Sequence, residues 1–409
     1  MKRTVRVWNG PAFDPEELLR QHGSPLFLFF PELLQAKFRV LKEVLEERHP
    51  NHVVAYSVKT NYLPAVVRRA VDCGAALEIV AGLELELVER LGLISPATIV
   101  NGPLKTDDEL RRIVRHGCRL NVDTMSELEA LERIAAETEH VVRIGLRVAS
   151  RRRQGAPDRF GFDADGLLRV AQQVGTSMPH LKIVGLHVHG GTNITDTTFY
   201  RQAACLLCRL ALQLQDAQLL DLSYLDLGGG FATACPFRDR IESHLPSAVE
   251  YVDAIVGPIH ESFGPRGPTL ILEPGRYLVD DAFVLLTTVQ RFRDADAHEV
   301  IVDAGVNVLP SARFRSHRIV CVSQEAPAAS PYAILGPLCM RSDRLADAVM
   351  LPRLRYGDVL AVSHAGAYSI SQAWNFIRLL PAVVAVEGGT YVLARRRQTI
   401  NDFLSRDLE

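Results

Sequence analysis

Long apolar runs, an excess of charge of one sign and an even set of cysteines are all missing from this sequence. No stretch is apolar over enough residues to cross a bilayer, and the opening segment MKRTVRVWNG lacks the apolar core of a secretion signal. The formal net charge of −2 gives no reason to expect a nucleic acid or a membrane surface as partner. The 7 cysteines are scattered and odd in number, which is typical of free thiols in a reducing compartment. We therefore expect a cytoplasmic protein.

One close cysteine pair, Cys205 and Cys208, forms a C-x-x-C sequence without a second pair of metal ligands. The pair lies in the apolar helical run AACLLCRLAL, and cysteine is often buried as a small apolar side chain. We favour core packing over metal or redox chemistry, and no metal site is expected.

Short β-prone runs alternate with helical patterns over the first two thirds of the chain. Helical patterns such as DDELRRIVRHG and MSELEALERIAAE separate the predicted strands. Eight β-then-α units indicate parallel strands with right-handed crossovers, and eight strands close a (β/α)8 TIM barrel. An open doubly wound sheet is the alternative, since strand order cannot be read from sequence. The eight runs are HVVAYSVK, AALEIVA, ATIVNG, CRLNVDT, VVRIGLRV, KIVGLHVHGG, LSYLDLGGG and TLILEPGRY.

Beyond the barrel pattern, the regular helical spacers disappear and short β-prone runs such as EVIVDAG and DVLAVSHAGAY remain. A chain of 409 residues is expected to form one large and one smaller domain. We predict a barrel domain at 31–280 and a mostly antiparallel β domain at 281–409. The segment 1–30 contains the β-like run PLFLFF and is expected to pack with the β domain.

Polar or glycine residues stand at the carboxyl ends of most of the predicted barrel strands. Enzymes with this fold build their chemistry on that face, so these positions predict one shared site. The residues concerned are Lys59, Glu78, Asp123, Arg147, His189, the Gly228–Gly230 run and Glu273.

Lys59 ends the first strand, with its stem buried and its amine aimed into the cleft. Such an amine is expected to lose its proton and to form a Schiff base with an aldehyde. A lysine that only pairs with an acidic neighbour would look the same in sequence.

The remaining strand ends suit a flat, phosphorylated ring. The turn at Gly228–Gly230 exposes backbone N–H groups that can hold a phosphate, and the nearby Thr192 adds a hydroxyl. His189 lies beside this turn and can stack on a ring. The Glu273 carboxylate can keep a pyridine nitrogen protonated, which strengthens the ring as an electron sink.

Six short motifs occur in one order along the chain: AYSVKTN, HVHGGTN, DLGGGF, EPGR, GPLC-x-x-x-D and GAY. In this the chain resembles the fold-type III pyridoxal-phosphate decarboxylases, the family of diaminopimelate and ornithine decarboxylases, with alanine racemase as a more distant relative. The resemblance extends from about Pro25 to Glu387, and the ordered set is far more specific than any one motif. It implies pyridoxal 5'-phosphate as cofactor and an alanine-racemase-like fold.

The resemblance also implies roles for individual residues. Lys59, His189, Glu273 and Cys339 would be catalytic: Lys59 carries the cofactor, His189 stacks on the ring, Glu273 pairs with its nitrogen and Cys339 donates a proton. Cys339 and Asp343 would come from a second subunit, which implies a homodimer with shared active sites. The other cofactor-binding positions would be Glu78, Arg147, Thr192, Gly228, Gly229, Gly230, Gly275, Arg276 and Tyr368, with Glu84 in a supporting role.

The departures from the family pattern concern the substrate. Met340 follows Cys339 where the ornithine and diaminopimelate enzymes place a carboxylate that holds the distal amine of the substrate. A thioether cannot replace that carboxylate, because a buried ammonium needs a partner. The segment 308–313 also lacks the arginine that precedes a proline in diaminopimelate decarboxylases. Diaminopimelate and ornithine are therefore not the expected substrates.

Arginines are plentiful near these departures, and they suggest a substrate with an anionic or bulky distal group. An amino acid tethered to an acyl or peptidyl carrier protein, or a siderophore or antibiotic precursor, would fit. The run 151–153 of three arginines could dock an acidic carrier protein, although a solvated loop is the simpler interpretation. The arginines are Arg313, Arg315, Arg341 and Arg344; the predicted substrate-binding residues are Arg276, Arg313, Met340, Arg341, Asp343 and Tyr368.

Two alternatives to an α-decarboxylase stay open. Racemases of this fold place an arginine at the ring nitrogen, so Glu273 argues against an amino-acid racemase or epimerase. A catalytically silent homologue would be expected to have lost Lys59 or Cys339, and both are present.

Overall fold

The computed structural model describes residues 5, 11–80, 82–138, 141–150, 159–239, 244–293, 298–325, 327–328 and 330–407. The strands are β1 (Leu26–Phe29), β2 (His52–Ser57), β3 (Ala76–Ile79), β4 (Ile99–Val100), β5 (Arg119–Val122), β6 (Val142–Arg147), β7 (Leu181–His187), β8 (Tyr224–Asp226), β9 (Thr269–Leu272), β10 (Phe283–Phe292), β11 (Glu299–Val302), β12 (Ile319–Cys321), β13 (Ser330–Leu335), β14 (Arg344–Leu351), β15 (Val359–Val362), β16 (Ala382–Glu387) and β17 (Thr390–Arg395). The helices are α1 (Pro15–His22), α2 (Pro31–Arg48), α3 (Pro64–Asp72), α4 (Gly82–Arg90), α5 (Asp107–His116), α6 (Met125–Thr138), α7 (Leu167–Ser177), α8 (Thr198–Asp216), α9 (Ala248–Phe263), α10 (Arg276–Val279) and α11 (Ile400–Leu404).

Strands β2 to β9 form a closed barrel of parallel strands. The barrel closes where β2 pairs with β9, with His52 opposite Leu270 and Val54 opposite Leu272. All eight predicted strands are present, and the TIM barrel is confirmed over the open doubly wound sheet.

The sequence contains local signals that start the barrel helices. Thr106 and Glu109 form a reciprocal capping box at the start of α5, and Ser247 and Glu250 do the same for α9. Pro31 begins α2, where its fixed φ suits the first helical turn. Among the described residues, none of the helices combines the length and the apolar character that a bilayer crossing requires.

The barrel interior changes from apolar to polar along the strands. Ala55, Ile99, Tyr224 and Ile271 pack together in the middle of the barrel. Because side chains on one face of a strand recur every second residue, the residues two positions further on also point inward. These are Ser57, Asn101, Asp226 and Glu273, all buried polar groups. The apolar layer therefore supports a polar layer at the carboxyl end.

The second sheet has nine strands and is mostly antiparallel, as predicted. Its main path runs β14-β13-β11-β10-β1-β16-β17, and β15 pairs with both β10 and β12. The N-terminal β1 lies between β10 and β16, antiparallel to the first and parallel to the second. The domain limits at residues 30 and 280 stay a prediction.

The two sheets meet at the carboxyl end of the barrel. Tyr368 N–H donates to the Thr60 carbonyl at 2.8 Å, and Asn61 Nδ2 donates to the Gly366 carbonyl at 3.0 Å. Gly366 is needed here, because a Cβ atom would lie 1.8 Å from the Val279 carbonyl oxygen. The GAY segment of the β domain is thus held against the turn that carries Lys59.

Candidate active site

Lys59 lies in the short 3-10 turn Val58–Thr60 that directly follows β2. Its Nζ atom is 2.6 Å from Oε2 of Glu78, at the end of the neighbouring β3. The same oxygen accepts a hydrogen bond from Ser57 Oγ at 2.6 Å. The Lys59 side chain is 35% exposed, whereas Glu78 is fully buried, so the amine faces a cleft with its counter-ion behind it.

The protonation of Lys59 differs from the sequence-based expectation. Burial lowers the pKa of the amine, but the negative charge of Glu78, with contributions from Tyr368 and Glu273, outweighs burial and raises the pKa. The pKa of Glu78 is pushed up by burial, yet Lys59 brings it below its usual value. The expectation that the amine loses its proton was therefore wrong, because the sequence does not show which carboxylate faces the lysine. The nearest acceptor for that proton is Glu78.

Glu273 follows β9 and is almost fully buried, at 3% exposure. Asn101 Nδ2 donates to its Oε1 atom at 2.6 Å. Burial raises the Glu273 pKa well above its usual range, and the neighbouring carboxylates of Asp226 and Glu78 raise it further. Burial likewise raises the pKa of Asp226 to about 7. Both carboxyl groups are therefore harder to ionise than usual, and a cationic N–H group placed against them would be stabilised.

Sequence reasoning missed several residues of this buried layer. His187 Nε2 lies 3.7 Å from Glu273 Oε2, and burial lowers the His187 pKa well below its usual value, with the positive charges of Arg147 and His189 adding to the effect. His187 precedes His189 by two residues, and Asp226 precedes Gly228 by two. The period of two along a strand could have indicated both. In the described part of the chain, His187, Asp226 and Glu273 are the group whose ligand atoms could hold a metal, all within 4.8 Å.

The glycine turn after β8 is shaped for close approach of another group. Gly228 and Gly230 have φ angles of 63° and 95°, which favour glycine. A Cβ atom on Gly229 would lie 2.2 Å from the Glu273 carbonyl oxygen, and one on Gly230 would lie 2.5 Å from the Gly191 carbonyl oxygen. The Gly229 N–H points to His189 Nδ1 at 3.2 Å. The turn therefore joins the strand ends that carry His189 and Glu273.

Arg276 connects this turn to the β domain. Its Nε donates to Thr192 Oγ1 at 3.1 Å, and its Nη1 is 3.3 Å from Asp280 Oδ2. The guanidinium lies over the Tyr368 ring, 5.3 Å from the ring centroid. A Cβ atom on Gly275 would lie 2.0 Å from Thr60 Oγ1, so Gly275 packs against the Lys59 turn.

Two further predicted residues, Arg147 and Glu84, form contacts at the carboxyl end of the barrel. Arg147 is 8% exposed, and its Nη1 lies 3.3 Å from Asp123 Oδ1. Glu84, in α4, accepts a hydrogen bond from the Val80 N–H at 2.6 Å. Both contacts fix the loops that surround Lys59.

The GPLC loop lies in the β domain between β13 and β14. Asp343 is 4% exposed, and its two carboxylate oxygens accept backbone N–H bonds from Val306 at 2.8 Å and Leu338 at 2.7 Å. Asp343 therefore anchors the loop. Cys339 and Arg341 are exposed, and no described hydrogen bond or ion pair links them, Met340 or Arg313 to Lys59.

Two arginines of the predicted cluster have other partners. Arg315 is fully buried, donates to the Cys235 carbonyl at 2.6 Å and lies 4.1 Å from the centre of the Phe237 ring. Arg344 pairs with Asp347 at 3.3 Å and Glu299 at 3.7 Å. Tertiary packing encloses Arg315, so this arginine is not available to a substrate. The run 151–153 lies outside the described residues.

A lysine with a buried counter-ion, a glycine turn and a buried acid pair, all on the carboxyl face of a TIM barrel, define an enzyme that uses pyridoxal phosphate. Residues 32–280 match the family described as "Pyridoxal-dependent decarboxylase, pyridoxal binding domain". The diaminopimelate decarboxylase of Aquifex aeolicus (strain VF5) is 30% identical, with 96% of this chain and 94% of the relative covered. That of Bacillus subtilis (strain 168) is 29% identical, with 97% and 94% covered.

Solved structures agree with the sequence relatives. The crystal structure of diaminopimelate decarboxylase from Methanocaldococcus jannaschii has a TM-score of 0.89 at 27% identity, with 99% of this chain and 98% of that chain covered. The lysine/ornithine decarboxylase of Vibrio vulnificus, solved with putrescine, has a TM-score of 0.77 at 24% identity, with 91% of this chain and 97% of that chain covered, which shows the shared fold. The chain belongs to the fold-type III pyridoxal-phosphate decarboxylases, the diaminopimelate and ornithine decarboxylase family. It is a carboxy-lyase that acts on an amino acid with pyridoxal 5'-phosphate.

Proposed function

We propose that this enzyme decarboxylates an α-amino acid whose distal end carries an anionic or bulky acyl group. The observation that carries the proposal is the loop after Cys339, which presents Met340 and Arg341 where the resemblance places a carboxylate in enzymes that hold a distal amine. Asp343 does not compensate, because both of its oxygens accept backbone N–H bonds. A distal ammonium would therefore have no counter-charge on this loop.

Two arginines support the anionic distal group. Arg313 and Arg341 are both exposed, and neither forms an ion pair within the part of the chain that the structure describes. A guanidinium holds a carboxylate or phosphate through two parallel hydrogen bonds. These side chains are thus available to a substrate, unlike Arg315 and Arg344.

The barrel residues fit the cofactor. Gly228–Gly230 and Arg276 would hold its phosphate, because the turn leaves no room for side chains and Arg276 supplies a cation. Lys59 would carry it, beside its counter-ion Glu78. Glu273 would face the ring nitrogen. A cationic N–H at that position would offset the repulsion between the carboxylates of Glu273 and Asp226. When bound, the ring withdraws the electron pair left at Cα as CO₂ departs.

The proton that replaces CO₂ would come from Cys339 of a second subunit. Cys339 is exposed in the β domain, and the structure describes no contact between it and Lys59 of the same chain. The family resemblance and the exposure of Cys339 support a homodimer with shared active sites. A carrier-tethered substrate is one form of the bulky distal group.

The proposal is tested by incubating the purified holoenzyme in D₂O with a substrate panel. The panel contains diaminopimelate, ornithine, lysine, and amino acids with N-acylated, side-chain-acylated or carrier-tethered groups, with and without a distal carboxylate. We expect an amine that lacks CO₂ and carries one deuterium, with kcat/KM at least about 100-fold higher for a distal anion than for diaminopimelate. Preference for diaminopimelate would overturn the proposal, and intact amino acid with deuterium at Cα would indicate a racemase.

The Arg341→Gln variant examines the distal contact directly. We expect KM for the best anionic substrate to rise about tenfold or more, because one charge-assisted contact is lost. Arg344→Gln is the matched control, since Arg344 lies on the same segment but is engaged by Asp347 and Glu299. An unchanged KM in Arg341→Gln would remove Arg341 from the substrate site.

The Gly229→Ala variant tests the phosphate cradle. The added Cβ would lie 2.2 Å from the Glu273 carbonyl oxygen, so the turn must shift at a cost of about 1–3 kcal/mol. We expect weaker cofactor binding, measured by fluorescence titration of the apoenzyme, and a lower melting temperature. Gly257→Ala in α9 is the matched control, since nothing lies within 4 Å of the position that its new methyl group would take, and we expect it to be neutral or slightly stabilising. Unchanged cofactor affinity in Gly229→Ala would place the phosphate elsewhere.

A further inference from the structure

A second cavity, of about 960 Å³, opens at the end of the barrel opposite Lys59. Its wall includes Arg119, the first residue of β5, Arg143, the second residue of β6, and Tyr224, the first residue of β8. Lys59 and Glu273 follow the other ends of their strands, so this cavity is separate from the cofactor site. None of the chemistry described above uses it.

The charged groups that line the cavity are four arginines and one glutamate: Arg111, Arg115, Arg119, Arg143 and Glu137. Glu137 is engaged by Arg111 at 3.2 Å. Just beyond the wall, Asp221 is 2.8 Å from Lys182 and 3.8 Å from Arg143. The cavity therefore has an excess of positive charge after its own ion pair is counted.

Arg119 is the least satisfied of these groups. Its Nη1 atom is buried and has no hydrogen-bond partner among the described residues. Leaving a guanidinium N–H buried without an acceptor costs free energy, and an anion toward which the Arg119 side chain turns would remove that cost. The second arginine, Arg143, is half exposed and donates to Ser223 Oγ at 2.8 Å. Arg119 and Arg143 come from adjacent strands, and the pairing of Leu120 with Ile144 places them side by side.

Of the uncharged residues in the wall, Ile113, Leu120 and Ile134 are nearly fully buried. Recognition in the cavity therefore depends on the arginines rather than on apolar contact. We propose that the cavity binds a small polyanion, with at least two carboxylate or phosphate groups, held by Arg119 and Arg143.

A chain of side-chain hydrogen bonds leads from this cavity to the cofactor site. Tyr224 OH donates to Asn121 Oδ1 at 2.8 Å, and Asn121 Nδ2 donates to Asn101 Oδ1 at 2.9 Å. Asn101 Nδ2 then donates to Glu273 Oε1 at 2.6 Å and lies 3.1 Å from Glu78 Oε1. The chain thus ends on the two carboxylates nearest the cofactor.

The position of Tyr224 is tightly defined. A Cβ atom on Gly145 would lie 2.2 Å from its hydroxyl, and one on Gly185 would lie 2.4 Å from its ring. The Tyr224 ring has little free space and its hydroxyl is bonded to Asn121. An anion that displaced the ring would therefore also displace Asn121. We expect occupancy of the cavity to change the environment of Glu273. Anion binding stands independently of the proposed function, whereas this coupling rests on Glu273 facing the cofactor.

Calorimetric titration of the holoenzyme tests the site, with citrate and pyrophosphate as separate probes. The holoenzyme is used so that the cofactor phosphate site is filled. We expect one equivalent of at least one probe to bind, and Arg119→Gln and Arg143→Gln each to weaken it about tenfold or more. Arg133→Gln is the matched control. Arg133 lies on the surface of α6, pairs with Asp107 at the start of α5 and does not line the cavity. The citrate and pyrophosphate arms distinguish carboxylate from phosphate recognition.

Absence of binding by both probes would overturn the proposal, and so would binding that both arginine variants leave unchanged. Melting curves establish that the variants fold. Arg143→Gln is expected to fold normally, because it alters a half-exposed side chain. The coupling is read from the absorbance spectrum of the bound cofactor. We expect the bound probe to shift the spectrum of the wild type and not that of Tyr224→Phe, which retains the probe. An unshifted wild-type spectrum would reject the coupling.

Discussion

Replacing Lys59 with alanine is expected to abolish decarboxylation, with a fall in kcat of about a thousandfold or more. Lys59 is the proposed point of attachment of the cofactor, and its Nζ atom is the cation that faces Glu78 at 2.6 Å. Without the amine, no covalent link to the cofactor can form. Borohydride reduction followed by mass spectrometry of the intact protein measures this directly, since only a linked cofactor adds to the mass of the chain.

Lys37→Ala is the matched control for this change. Lys37 has nearly the same side-chain exposure, 36% against 35%, and also pairs with one carboxylate, Asp281 at 3.2 Å. We expect it to keep both the cofactor and the activity. Retention of the reducible cofactor in Lys59→Ala would place the attachment elsewhere.

The same variant examines the shared active site. Lys59→Ala and Cys339→Ala would be inactive alone, but mixed dimers regain one intact site when Cys339 serves the neighbouring subunit. We expect partial recovery of activity after the two variants are mixed and allowed to exchange subunits. Failure to recover activity, with mixed dimers shown to be present, would mean that each chain uses its own cysteine.

Glu273→Gln is expected to lower kcat by about 10²- to 10⁴-fold while the cofactor remains bound. An amide cannot supply the negative charge that keeps the ring nitrogen protonated, so the ring becomes a weaker electron sink. The geometry of the site is otherwise retained, since Asn101 Nδ2 can still donate to the remaining carbonyl oxygen. Single-turnover kinetics separates loss of the chemical step from loss of binding, and a variant with full kcat would contradict the role of Glu273.

The apoenzyme offers a pH-dependent readout of the same change. Burial raises the folded-state pKa of Asp226 to about 7, from an ordinary value of 3.8, and Glu273 is raised as well. Because these pKa values are higher in the folded state, protonation of the two groups stabilises the fold fully below about pH 4. This contribution is lost as the pH rises through about 7. Glu273→Gln removes one of these carboxyl groups. We therefore expect the difference in melting temperature, variant minus wild type, to be more positive at pH 8 than at pH 5.

The barrel and most of its carboxyl-end residues could be predicted from local sequence. Strand and helix periodicities are properties of short segments, and they indicated eight β-α units. Lys59, Gly228–Gly230 and Glu273 each end a predicted strand, and the fold places all such ends on one face. The ordered motifs also predicted the decarboxylase family, which the comparisons confirmed.

Other features required distances between segments that are far apart in the chain. Asn101 follows a strand of two residues, β4, too short to show a period, yet it contacts both Glu78 and Glu273. Arg315 lies among arginines in sequence, but packing against Phe237 removes it from solvent.

The sequence by itself determined the fold class, the lysine, the glycine turn and the family, because each depends on local pattern or on the order of motifs. Only the tertiary structure decided that Lys59 pairs with Glu78, that Glu273 is buried in one cluster with Asp226 and His187, and that a cavity rich in arginine lies at the opposite end of the barrel. The physical reason is that electrostatic interactions and hydrogen bonds depend on separation in space. Closure of the barrel brings its first and last strands into register although they are far apart in the chain, as the pairing of His52 in β2 with Leu270 in β9 shows.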